Sequence, residues 1–275
     1  MKRTILLAML LVLGISGAKA AALAPINVQQ AHINTDAEHN QQLTIGFDWF
    51  RDHSSIGGGP GDLRMGVMNL PRVDFRQSFD TAIPIRIGLN SALTHGTSET
   101  AIGGVETESA ALGFNNLGLT LEAGLVQGDN VNITAYINQN FPFVHNNLLS
   151  TNLLRPVQGV NAYGFQSGLE YSWKMADCLT WFGDVAYRFD VPSVGEVQNS
   201  LVYYNEAVLG LGEGAGLSIG LLGNSVYNNN IGTDLRLVPG IIIPMGDVQF
   251  RASTPIGLTS VSPDFGVQAS IFTTF

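Results

Sequence analysis

From residue 41 onward, apolar side chains recur at every second position and hold one phase over almost the whole chain. Between 81 and 95, Ile83, Ile85, Ile87, Leu89 and Leu93 alternate with Pro84, Arg86, Gly88, Asn90 and Thr94. A period of two sends alternate side chains to opposite faces of a strand. Leu117, Leu119, Leu121, Ala123 and Leu125 repeat the pattern, as do Leu201, Tyr203, Ala207, Leu209 and Leu211, and finally Phe265, Val267, Ala269, Ile271 and Phe275. Twelve such stretches can be traced, with the apolar set on odd numbers in all but one, where Val248, Phe250, Ala252 and Ile256 are even; Leu63, Met65 and Val67, then Val73 and Phe75, form the least regular. The charges inside these stretches take the opposite parity: even numbers for Arg86, Glu122, Glu170, Asp184, Arg188, Glu206 and Arg236, and an odd number for Arg251, whose stretch carries its apolar set on even ones. One face of the sheet therefore excludes charge.

A soluble sandwich also alternates, but its strands average five or six residues and its outer face is polar. Most stretches here reach nine or more residues, the length of a tilted strand crossing a bilayer. A charge on a lipid-facing position costs about 2–4 kcal/mol at midplane, which accounts for the charge-free face. No apolar run near 18 residues follows residue 20, so helices cannot place the 45% hydrophobic content in a membrane. Closure satisfies every backbone amide without leaving a sheet edge. The expectation is all-β: a single closed antiparallel transmembrane β-barrel of about 12 strands over residues 41–275.

The N-terminus reads as an address. Lys2 and Arg3 precede the apolar run Ile5–Ile15, and Ala18-Lys19-Ala20 ends the segment. This is the pattern of a secretory signal peptide over 1–20, cleaved after Ala20. Residues 21–40, polar and carrying His32 and His39, are expected as a mobile periplasmic tail. The 22 acidic residues all lie beyond Ala20 against ten of the 13 basic ones. So acidic a chain offers no phosphate-binding surface, and nucleic acid is excluded as a partner. A single cysteine, Cys178, allows no intramolecular disulfide. No His, Cys or carboxylate set has metal-ligand spacing, and no cofactor is expected.

Connections give the direction of insertion. Short ones fall near Gln77–Asp80, Gln127–Asn130, Lys174–Cys178, Glu213–Gly216 and Met245–Asp247. Long ones are expected near Arg51–Asp62, His95–Glu108, Asn138–Ala162, Asp190–Ser200, Gly223–Thr233 and Gly257–Asp264. Short periplasmic turns alternating with long extracellular loops suit an outer-membrane barrel entered from the periplasm. The amphipathic final strand ending in Phe275 resembles the assembly signal of bacterial outer-membrane barrels, although Thr273 departs from the aromatic often found two residues earlier. That resemblance implies the outer membrane of a Gram-negative bacterium, its lipids, and its barrel assembly machinery as partners. Pro239-Gly240 within one strand and Pro255-Ile256-Gly257 ending the next resemble an outer-membrane family grouped under the meta-pathway of phenol degradation. The resemblance covers about the last two fifths of the chain and implies a pore or transport role.

A dozen strands leave a lumen between the filled interior of small barrels and the wide channel of porins. The inward list is nearly balanced in sign. Its arginines could receive small organic acids, or could brace the wall against Glu122, Glu170 and Glu206. The expected function is a narrow charged pore for small solutes, organic acids or aromatic compounds among them, with no enzymatic activity. Two alternatives remain open at this point. A lipid-modifying enzyme would need Ser and His near the membrane surface, where His53-Ser54 and His95 with Ser98 are the only near candidates. A structural or adhesive barrel would act through long loops such as Asn138–Ala162.

Overall fold

A computed structural model describes residues 31–36, 38–56, 61–102, 105–114, 117–142, 162–192, 197–212, 215–227, 233–260 and 262–275. The expected signal peptide lies outside the described residues, as does most of the connection after 142. The strands are β1 (Gln41–Ile56), β2 (Gly61–Phe79), β3 (Ile85–Ile102), β4 (Val105–Phe114), β5 (Leu117–Gln127), β6 (Val131–Phe141) and β7 (Ala162–Ala176). They continue as β8 (Leu179–Pro192), β9 (Gln198–Gly212), β10 (Ala215–Val226), β11 (Thr233–Met245), β12 (Val248–Ser253), β13 (Ile256–Gly257) and β14 (Phe265–Thr274).

Consecutive wall strands pair antiparallel, and β14 returns to β1 from Gln42↔Thr274 to Arg51↔Phe265, closing the sheet on itself. β4 and β5 are successive lengths of one wall strand, laid against the far and near parts of β3. β12 and β13 share one register along β11 and β14 in the same way. The result is a closed barrel of twelve wall strands. Among the described residues no helix is long and apolar enough to cross a membrane.

Burial follows the alternation with polarity inverted. Ile87, Leu121, Leu169 and Ile219 on the outer face are 38–54% exposed, whereas Arg86, Thr134, Glu122 and Glu206 inside are fully buried. A water-soluble domain does the reverse. Tyr163 and Trp173 mark the two ends of the outer apolar band on β7, both exposed. Ten residues of strand at ~3.3 Å each, tilted by about 40°, rise ~25 Å, the height of the lipid-facing band of an outer-membrane barrel. At the end carrying the short turns, Gly246-Asp247 joins β11 to β12. Gly246 has φ 68°, a conformation that an added Cβ would strain.

Three expectations change. First, β2 does not keep one phase: a bulge between Asn69 and Arg72 adds one residue against both neighbours. Val67 and Asn69 are therefore buried inside while Leu70 is exposed, and even numbers face inward again from Arg72. Second, most of Arg51–Asp62 and His95–Glu108 is strand rather than loop, because β1 to β4 run on past the length needed to cross a bilayer. Third, the candidate pair His53-Ser54 accordingly belongs to β1 rather than to a connection.

Candidate functional site

β3 enters the wall at Ile85, so Arg86 is the first inward side chain at the end that carries the short turns. Its register partner on β5 is Glu122. Arg86 Nε donates to Glu122 Oε2 at 2.5 Å, and Arg76 from β2 pairs with the other oxygen, Oε1. Arg76 also holds Asp74 at 2.8 Å, while Arg86 reaches Glu170 of β7 at 3.7 Å. With Arg86 and Glu122 fully buried, only such mutual pairing offsets the loss of hydration. The network continues on β6 and β8, where Tyr136 Oη donates to Asp184 at 2.9 Å and accepts from Gln166 Nε2 at 2.6 Å.

The chain before β1 is built into this floor. Ala31 and Ile33 are buried, and the Ala31 carbonyl accepts from Thr134 Oγ1 at 2.6 Å and from Gln127 Nε2 at 3.2 Å. Ile33 N donates to Gln127 Oε1 at 2.8 Å, and Arg86 Nη1 donates to the His32 carbonyl at 3.4 Å. His32 Nδ1 stands 3.1 Å from Asn132 Oδ1. At 31–33 the segment expected as a mobile tail is packed inside the barrel against β3, β5 and β6 at the short-turn end. Inward side chains of β5 and β6 supply donors and acceptors to backbone groups that no strand partner satisfies.

Several other inward charges are paired along one strand or with the next. Arg188 holds Asp190 at 2.6 Å and Arg236 holds Asp234 at 2.9 Å, each across a single intervening residue of its own strand. Arg72 holds Asp48 at 3.1 Å. Arg251 lies 3.8 Å from the centroid of the Phe272 ring and donates to Gln249 at 3.3 Å. Glu206 is fully buried on β9. The interior is not polar throughout: Phe182, Val208 and Ile242 form one buried apolar cluster, and Tyr204 and Val238 another, on the inner side of β8 to β11. Among the described residues no three of His, Cys, Asp and Glu stand together as metal ligands.

All eight expected lumen residues lie on the inner face. Arg86, Glu122 and Glu170 meet in one network with Asp184 at its edge, while Arg188, Arg236, Arg251 and Glu206 sit elsewhere on the wall. Seven of the eight are 0–5% exposed, and only Asp184 retains appreciable access.

No family model matches this sequence, and no curated protein matches it. Solved structures do resemble it. An outer-membrane channel from Pseudomonas putida F1 superposes with a TM-score of 0.65 at 12% identity, over 90% of this chain and 100% of that one. The NanC porin gives 0.48 at 7% identity, over 86% and 98% of the two chains. The chain shares the fold of an outer-membrane channel.

Sequence reasoning missed the local pairing. Asp74-Phe-Arg76, Arg188-Phe-Asp190 and Asp234-Leu-Arg236 each place opposite charges two apart, hence on one face of one strand, and that signal was available. Tyr136 and Gln166 carry no comparable mark. The insert was equally invisible, because Ala31, His32 and Ile33 bind chiefly through backbone atoms.

Proposed function

We propose that the protein is an outer-membrane pore or transporter for small solutes, exported by the signal peptide at 1–20 and folded around a narrow charged lumen. The observation that carries this reading is the inverted polarity of a closed wall, apolar side chains exposed outside and charged ones buried inside. The shared fold with a channel agrees with it. The arginines that would receive a permeant carboxylate are engaged: Arg72, Arg76, Arg86, Arg188 and Arg236 hold acidic partners, and Arg251 is held against Phe272 and Gln249. In this reading Arg86, Glu122 and Glu206 brace the wall, and a solute meets the accessible groups, Asp184 foremost. The resemblance to the phenol-degradation family keeps aromatic compounds among the candidate solutes, and the apolar clusters on β8 to β11 would suit them. The test is conductance of the refolded protein in planar bilayers. Discrete current steps are expected. Silence from a protein shown to be inserted would overturn the reading.

A further inference from the structure

The polar network around Arg86 is short of positive charge. Glu170 and Asp184 are register partners on β7 and β8, so two carboxylates face each other on one side of the sheet, an arrangement that ordinarily destabilises a strand pair. Glu170 is 5% exposed, yet its Oε2 accepts no hydrogen bond among the described residues. Arg86, its ion-pair partner, stands 3.7 Å away and is already bound through Nε and Nη2 to Glu122. Asp184 takes a hydrogen bond from Tyr136 Oη rather than from a guanidinium. A buried carboxylate oxygen held only by an ion pair at 3.7 Å and by no hydrogen bond is costly, and a second carboxylate opposite raises the cost.

We propose that Glu170 and Asp184 form a binding step for a small monovalent cation, an alkali ion or an alkylammonium, held between Glu170 Oε2 and the accessible side of Asp184. Acidic side chains lining a constriction are a general means of selecting cations. Tyr136, fixed by Gln166, keeps Asp184 turned toward the step, and Arg86 marks its floor. As a step in permeation the site rests on the pore reading; as a binding site it does not.

Two measurements separate the claims. In planar bilayers under a potassium chloride gradient, the wild type is expected to prefer potassium over chloride. Glu170→Gln combined with Asp184→Asn should reduce that ratio roughly tenfold or more, the effect of losing a charge-assisted contact. Asp184→Asn alone, at a less buried position, guards against a double variant that fails to fold. Folding is checked by heat-modifiable migration, and Asp177→Asn in the exposed β7–β8 turn serves as control. Saturation-transfer NMR with ethylammonium on the folded barrel in micelles should give a signal that both site variants lose. Conduction without cation preference, together with no ethylammonium signal, would overturn the site and leave the pore. A silent bilayer with a signal dependent on Glu170 and Asp184 would keep the site and overturn the pore. Silence in both would overturn both.

Discussion

Glu122 shows how much of the interior depends on single carboxylates. It is fully buried between Arg76 and Arg86, so Glu122→Leu removes a carboxylate from two guanidinium groups at once and leaves Arg76 to Asp74 and Arg86 to the more distant Glu170. Removing one partner of a buried pair typically costs about 3–5 kcal/mol. A fall of that size is expected in the urea unfolding of the barrel in lipid vesicles, while a change within experimental scatter would mean that water reaches the pair. That Glu122 faces inward was legible from its even number within an odd-phased strand. That it serves two arginines was not, because Arg76 comes from β2, which is two strands away around the wall. Asp74-Phe-Arg76 could have been read directly, since a two-residue spacing fixes a shared face whatever the barrel does.

At the scale of an element, β7 carries its apolar band from Tyr163 to Trp173 with Leu169 near the middle, 46% exposed. On a soluble surface, Leu169→Arg would change stability by only about 0.5 kcal/mol. Facing lipid near midplane it should cost about 2–4 kcal/mol, measurable as a lowered folding yield into vesicles. The β7–β8 turn offers a second test through Cys178, which is exposed there. If the short turns face the periplasm, a membrane-impermeant maleimide should label Cys178 only after the outer membrane of expressing cells is permeabilised. Labelling in intact cells would reverse the orientation. The strands themselves were legible because lipid on one side and charge on the other impose a strict period of two. That regularity failed at the bulge in β2, where one extra residue exchanges the faces. Val67 in the upper part and Phe75 in the lower both carry odd numbers, and nothing in a run of Leu, Met, Val and Phe announces which of them has turned inward.

For the molecule as a whole, the insert at 31–33 and the ion pairs around Arg86 lie together at the short-turn end of the interior. Removing residues 21–36 should increase unitary conductance in planar bilayers without loss of the folded form; an unchanged conductance would place the limiting constriction elsewhere. Closure of the wall was expected from the absence of a tolerable edge, yet its most consequential detail is the pairing of β1 with β14. These are the first and last strands, and every other wall strand finds its neighbours close by in sequence. Such a ring cannot be sealed while the chain is still emerging: until Phe265–Thr274 arrives, β1 shows a row of unanswered amides that would invite a second chain. The completed polypeptide must therefore be kept apart from its copies until both ends meet, so a chain cut short before β14 should clump rather than shrink to a smaller ring.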